Sequence, residues 1–364
     1  MRRARALLLP VLLACGWAEP AAAWTQSGHM MIASFAYDAL SEQRRAQLVA
    51  LLRNHPRFEQ DFLAHLPVSV STPADQARWI FGWAAVWPDL ARGQPAFERG
   101  SWHYVNLPLT LGARGLASCA DARRNLPESQ RRVAAERARR TVEKAAALPP
   151  GPPAPPAASA ERLTPAGIDD IRAALRWAQQ ASSDDQRSPS ERALALSWLL
   201  HLVGDVHQPL HAVALFSARR FELGDRGGNE ILAGGAKSLH YVWDGLLGED
   251  DSLGFVQAEA QRWQRSPELR VLAQSARRSL DLDVWLEESC AQARERVYSP
   301  AVLAAARSAE SGPLESKPEA VLEPRYLAQA RPAAQRRAVQ AGARLAALLG
   351  RQRQGHADEP RRGE

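Results

Sequence analysis

The stretch HLVGDVHQPLH, residues 201 to 211, holds three of the chain's nine histidines around a single carboxylate, Asp205. His201 and Asp205 are four apart, so on a helix they project from one face, a turn from each other. The pattern returns in SLHYVWDGLL, where His240 and Asp244 are again four apart. An imidazole and a carboxylate at this spacing offer a divalent cation two ligands from one rigid helix face. A single such pair is more often an ion pair than a ligand set. Two pairs plus His211, in a histidine-poor chain, favour a metal.

Further candidates stand upstream. WPDLAR places Asp89 behind an aromatic and a proline, where a loop carboxylate can point inward, and WHYVN puts His103 fourteen residues later. Trp24 is followed five residues on by His29. If the chain is cleaved after Ala23, Trp24 supplies a free α-amino nitrogen and its own carbonyl oxygen, a pair able to chelate a metal.

The elements that must position these groups read as helices almost throughout. Ser27 can cap a helix over residues 28–40, and Ser41 another toward Leu52. Ser188, Pro189 and Glu191 form a capping box, and the run ERALALSWLLHLVGD behind it is apolar nearly all round, the pattern of a central buried helix. Pro209 is expected to end that helix, leaving His211 on a turn that folds back toward the same region. Strand signals are scarce. Residues 145–165, with PPGPPAPPAAS inside, have the composition of an exposed loop inserted in one domain, and residues 351–364 form a polar tail without core residues.

The ends and the composition bound the class. Arg2, Arg3 and Arg5, an apolar run to Trp17 and the small residues before Trp24 make residues 1–23 read as a cleaved secretory signal, too short for a membrane span. Leu12-Leu13-Ala14-Cys15 also resembles a lipobox, but acylation at Cys15 would leave nine residues ahead of Trp24 and remove its amino group as a ligand. Processing after Ala23 removes three Arg and one Glu, taking the formal charge from +6 to +4, a mild basic bias that suits a polyanion without diagnosing one. Cys119 and Cys290 remain, able to pair in an oxidising compartment or to stand as two free thiols. With 364 residues, 46% of them hydrophobic, there is ample material for a core over residues 24–350.

WTQSGH, WPDL, WHYVN, HLVGDVHQPLH, DRGGN and LHYVWDGLL, in this order, resemble the S1/P1 nucleases. The resemblance runs from Trp24 to AVQAGARLAALL near the C-terminus. It implies an all-α, single compact multi-helix domain, of the type shared with zinc-dependent phospholipase C, and three zinc ions (Zn2+) at the bottom of a cleft. Carried over by residue, it assigns the first zinc to Asp89, His103, His201 and Asp205. The second goes to the Trp24 amino nitrogen and carbonyl, His29 and Asp205, which thereby bridges two metals. The third takes His211, His240 and Asp244. His207 is left over and reads as structural or as support for a ligand, and His55, His65 and His356 read as ordinary residues.

The chemistry so implied is hydrolysis of single-stranded RNA and DNA to 5′-phosphate products, with release of 3′-phosphate from nucleotides. A water shared by the two close zinc ions would lose proton affinity and attack phosphorus in line. Arg92 matches a basic residue beside the scissile phosphate, its fork suited to developing negative charge. Tyr104 would stack on a nucleobase, with Asn106, Gly228 and Asn229 at the base edge. Relatives often carry Asp in place of Asn106, which leaves base preference open.

The interval between His211 and His240 is longer than usual, consistent with an extra loop near residues 216–223. The absence of an Asn-x-Ser/Thr sequon fits a bacterial, periplasmic or extracellular enzyme better than a glycosylated one. No stable protein partner is implied, and a monomer is expected. Two other readings remain at this point. A phospholipase C-like phosphodiesterase shares the three-zinc arrangement, but typically has Glu at the position of Asp244 and a longer Trp-to-His spacing. A protein with purely structural zinc is disfavoured because closed structural sites prefer cysteine-rich tetrahedra.

Overall fold

A computed structural model describes residues 24–112, 115–117, 119, 165 and 167–351. Residues 1–23, read above as a signal with a competing lipobox, most of the Pro-rich segment and all but the first residue of the tail lie outside these. The described chain is dominated by helices whose starts follow from local chemistry. Helix α1 (Gln26–Asp38) is capped by Thr25 rather than Ser27, because the Ser27 hydroxyl, one residue inside the helix, donates instead to the Gly248 carbonyl at 2.6 Å. Helix α2 (Glu42–Leu52) starts at Ser41 as expected, and α3 (Pro73–Ala84) combines a Thr72 cap with proline in the first turn. A single turn, α4 (Trp87–Leu90), carries Asp89.

Two short strands follow, β1 (Leu107–Gly112) and β2 (Gly115–Leu116). Helix α5 (Ile171–Ser183) packs on α6 (Pro189–Asp205), whose capping box is formed by Ser188 and Glu191 as the sequence indicates. Every residue of α6 from Ala193 to Asp205 is buried, so this helix is wrapped on all sides, by α1, α2, α3 and α5 among others. It ends at Asp205, four residues before Pro209. Pro209 instead opens a one-turn helix, α7 (Pro209–Ala212), so His211 sits on a helical turn, not an irregular one. Strand β3 (Val213–Phe216) pairs parallel with β1, Leu107 opposite Val213, while β2 pairs antiparallel with β1. This small sheet is the counterpart of the scarce strand signals within an otherwise helical fold. It brings the segment after His103 beside the segment after His211.

The remaining helices close the molecule: α8 (Leu239–Asp244), α9 (Leu253–Arg265), α10 (Pro267–Ala276), α11 (Leu282–Gln292), α12 (Pro300–Ala309) and α13 (Pro324–Arg351). One contiguous apolar cluster runs from Trp24 to Leu349. Cys119 and Cys290 are joined in a disulfide, with Cα atoms 6.2 Å apart, which sets aside the free-thiol alternative. No helix among the described residues is long and apolar enough to cross a membrane.

Candidate metal centre

His201 and Asp205, at zero exposure, stand at the inner end of α6. His201 Nδ1 donates to the Ala85 carbonyl at 2.7 Å, which leaves Nε2 with its lone pair. That nitrogen lies 3.1 Å from Asp205 Oδ2 and 2.8 Å from Nδ1 of His103, which the turn Gly100–His103 delivers from the other side. His103 Nδ1 is in turn 3.0 Å from Asp205 Oδ2 and 3.9 Å from Asp89 Oδ1. The other Asp205 oxygen, Oδ1, faces His29 Nε2 at 3.3 Å. Thus the carboxylate turns one oxygen toward His103 and His201 and the other toward His29. The His29 ring stacks on His201, centroids 4.2 Å apart, and Gly204 permits the approach: a Cβ there would meet His29 Nδ1 at 2.9 Å.

Trp24, wholly buried, donates its indole N–H to the Gly204 carbonyl at 3.0 Å, and the Thr25 amide donates to the Asp244 carbonyl at 3.2 Å. The start of the described chain is therefore held between the helices that carry the two His-x-x-x-Asp pairs.

The third cluster is built from α7 and α8. His211 Nδ1 donates to the His103 carbonyl at 2.7 Å and His240 Nδ1 to the Gly227 carbonyl at 2.6 Å. Both Nε2 atoms consequently carry lone pairs, and they face each other at 3.0 Å with Asp244 Oδ2 at 3.5 Å from the His240 nitrogen. Two imidazole lone pairs and a carboxyl oxygen converge here.

The donor atoms of three sets, His29–His201–Asp205, Asp89–His103–His201 and His211–His240–Asp244, each lie within 4.8 Å of one another. Both ring nitrogens of His29, Nε2 of His103 and Oδ1 of Asp205 are buried without a hydrogen-bond partner. Buried polar atoms are otherwise almost always paired, and leaving them unpaired costs about 1–3 kcal/mol each. Cations at these positions would satisfy the converging lone pairs, so the residues present fit metal ions.

Electrostatics agrees with that fit at His103, His240, Asp205 and Asp89, whereas Asp205 and Asp89 raise His201 against burial. Burial, followed by the nearby Arg92 charge, lowers His103 to about 4, and burial with the facing His211 lowers His240 to about 3. Both rings are thus neutral, the form that ligates. Burial would raise Asp205, but the imidazoles that face it, His201 first and then His103 and His29, hold it well below the usual carboxylate range. Asp89 is likewise brought down to about 2 against burial, by Arg92 and then by the imidazoles. Asp244 goes the other way, raised by burial.

Arg92 is not a solvated surface arginine. Its Nε and Nη2 both reach Asp89 Oδ1 at 2.8 Å. Tyr104 and Asn106 are half-buried on either side of Val105, whose amide donates to the His211 carbonyl at 2.8 Å. Asn229 is half-buried too, with Nδ2 donating to the Arg226 carbonyl at 2.9 Å and Oδ1 accepting from Ser238 at 3.4 Å. An amide has two hydrogens and two lone pairs, so each end keeps capacity for a ligand. Gly228, in the same loop, has φ +81° and is buried.

His207 points away from the cluster, donating from Nδ1 to the Val203 carbonyl at 2.8 Å and accepting at Nε2 from Arg344 at 2.8 Å. Arg344 and Arg337 share Glu288, a buried brace from α13 against the end of α6. His55 and His65 pack on Trp87 and Trp83, and His356 lies outside the described residues.

Two supporting groups escaped the sequence reading. Gln208 donates to Asp244 Oδ1 at 2.7 Å while accepting from the Leu210 amide, fixing the carboxylate of the third cluster. Asp61 accepts from the Trp87 indole at 2.9 Å and from Arg57, anchoring the turn that carries Asp89. Gln208 lay within a quoted motif, but nothing local marks its partner.

Comparison with protein families gives a match to S1/P1 Nuclease over residues 159–353, more than half of the chain. The chain belongs to the S1/P1 nuclease family. Among curated proteins it is 32% identical over 169 residues to Endonuclease 4 of Arabidopsis thaliana, covering 43% of this chain and 50% of that protein. It is 32% identical over 74 residues to Nuclease S1 of Aspergillus oryzae, 20% of this chain and 24% of the relative. Endonuclease 5 of Arabidopsis thaliana is 43% identical over 56 residues, 15% and 16% of the two chains. The matched stretches thus span half or less of these relatives' lengths.

Proposed function

We propose that this chain is a zinc-dependent endonuclease that hydrolyses single-stranded RNA and DNA to 5′-phosphate products and also removes 3′-phosphate from nucleotides. The observation that carries this reading is Asp205, a fully buried carboxylate whose two oxygens face two different imidazole sets, beside a third His-His-Asp set. Mixed imidazole and carboxylate donors suit zinc, and the absence of cysteine from all three sets argues against closed structural sites.

In this reading Asp89, His103, His201 and Asp205 hold the first ion. Trp24, His29 and Asp205 hold the second, and His211, His240 and Asp244 the third. Zinc so held supplies a water of lowered proton affinity and positive charge for the phosphoryl oxygens.

The chain's own groups do the rest. Arg92 exchanges part of its contact with Asp89 for a non-bridging phosphate oxygen and balances charge that builds on phosphorus. Tyr104 stacks on the base 5′ or 3′ to the cut, with Asn106 and Asn229 at its edge, which requires a base splayed out of a duplex. Gln208 keeps Asp244 oriented while the leaving oxygen departs.

Export belongs to the same reading. Cleavage after Ala23 would free the Trp24 amino group where the chain already lies against Gly204 and Asp244. The Cys119–Cys290 disulfide suits an oxidising periplasmic or extracellular compartment.

The test is product analysis of single-stranded RNA and DNA digested by zinc-loaded protein beginning at Trp24, with a chelated control. Release of 5′-mononucleotides that chelation abolishes is expected. No cleavage by protein shown to hold zinc would move the substrate to another phosphodiester class, phospholipids first.

A further inference from the structure

The loop after β3 adopts a conformation that needs an explanation. Arg226, Gly227 and Gly228 are three consecutive residues with positive φ, at 57°, 60° and 81°. Arginine rarely adopts this backbone, and a Cβ at Gly227 would stand 2.3 Å from the Leu210 carbonyl oxygen, so the loop is pressed against α7. Something must hold it there.

The holding group is Asp225. Its carboxylate is completely buried, with Oδ1 accepting from the Leu215 amide at 2.9 Å and Oδ2 from the Tyr298 hydroxyl at 2.8 Å. The amides of Gly227 and Gly228 also hydrogen-bond to it. Its backbone adds two bonds, the amide to the Leu215 carbonyl at 2.9 Å and the carbonyl from the Glu230 amide at 3.0 Å. One side chain therefore ties together β3, the left-handed loop and the turn that ends at Tyr298. It is bound by backbone amides and a hydroxyl rather than by a cation. Burial raises it to about 6, so the site is held at some cost to the fold.

What the loop delivers is the Gly227 carbonyl, 2.6 Å from His240 Nδ1. That contact sets the His240 tautomer and aims Nε2 at His211 and Asp244. The same loop carries Asn229. Resting on the metal reading above, we infer that Asp225, with Tyr298 behind it, is the positioning residue of the third ligand set: it holds the Gly227 carbonyl that orients His240. Asp225 touches neither metal nor substrate. It acts through the loop.

The test compares wild-type, Asp225→Asn and Tyr298→Phe full chains beginning at Trp24, disulfide intact and zinc-loaded. Zinc per chain is measured by elemental analysis, and the affinity of each ion by chelator competition. An amide at 225 replaces one accepting oxygen by a donor among the backbone N–H groups that the carboxylate binds, so Asp225→Asn should weaken one zinc of three by about 10- to 100-fold and leave the other two unchanged. Tyr298→Phe, which removes a single bond to the carboxylate, should weaken the same ion by several-fold. Raising free zinc should restore nuclease rate in both variants, which a merely structural defect would not allow. If Asp225→Asn fails to fold, the Tyr298→Phe result decides. Unchanged affinity for all three ions, or equal weakening of all three, would overturn the inference. Fewer than three ions on the wild-type chain would instead overturn the metal reading on which it rests.

Discussion

Asp205 concentrates the argument at the scale of single residues. A carboxylate serving one ion can be replaced at the expense of that ion, whereas Asp205 presents Oδ1 to His29 and Oδ2 to His103 and His201. Asp205→Asn should therefore release more than one zinc and lower kcat/KM by at least about 10²-fold, since even groups that only orient a ligand cost 10- to 100-fold. His29→Asn, by contrast, should release one. Zinc stoichiometry measured beside rate checks this, and near-normal turnover by Asp205→Asn would show the bridging assignment to be wrong. Arg92 separates two roles in the same way. If it serves the phosphate, Arg92→Ala loses about 10²-fold in kcat/KM with zinc content intact. If it serves only Asp89, zinc is lost as well. The first outcome is expected, because Asp89 has His103 and His201 within 3.9 Å to hold it in place.

Between elements, the site depends on how closely α1 can approach its neighbours. Gly204 of α6 admits the His29 ring, and Gly342 of α13 admits α1 on its other side, where a Cβ would meet Phe35 Cδ1 at 2.8 Å and the Ile32 carbonyl at 3.0 Å. Alanine is the better helix former, by about 1 kcal/mol. Even so, Gly342→Ala should destabilise by about 1–3 kcal/mol, because the contact includes backbone that cannot swing aside. A denaturant midpoint equal to or above wild type would refute this close packing. The elements also show what a sequence can and cannot carry. The His-x-x-x-Asp pairs and the Ser188–Glu191 box were readable because helix geometry relates residues three or four apart. The pairing of β1 with β3 was not, since Leu107 meets Val213 across more than a hundred residues and LPLTLG carries proline and glycine. The cap of α1 was misplaced by two residues because the partner that occupies Ser27, Gly248, is equally remote. Asp225 was passed over for the same reason, its partner Tyr298 lying 73 residues away.

For the whole molecule, several buried histidines make stability a function of pH, and His55 isolates the effect because no ligand set includes it. It is 4% exposed, accepts from the Arg57 amide at 3.2 Å and packs its ring on Trp87, with Asp61 and Arg57 the charged groups facing it. Burial lowers it to about 3, with Arg57 adding to the shift and Asp61 opposing it. A base whose folded value lies below its unfolded value binds more protons when unfolded. Its stability contribution is therefore whole above about pH 6.5 and is lost as pH falls toward 3. Between pH 7 and 4.5 this loss amounts to about 2–3 kcal/mol, from roughly two pH units at about 1.4 kcal/mol each. Other groups titrate over the same range in both directions, Asp225 among them, so the comparison that matters is between two chains. In His55→Asn the side-chain oxygen can still accept from the Arg57 amide while the titrating ring is gone. Metal-free, disulfide-intact wild type should accordingly lose about 2–3 kcal/mol more than His55→Asn between pH 7 and 4.5, with contributions common to both cancelling. Parallel stability curves for the two chains would mean that water reaches His55 and that the core beneath the Asp89 turn is looser than its packing against Trp87 and Phe62 implies.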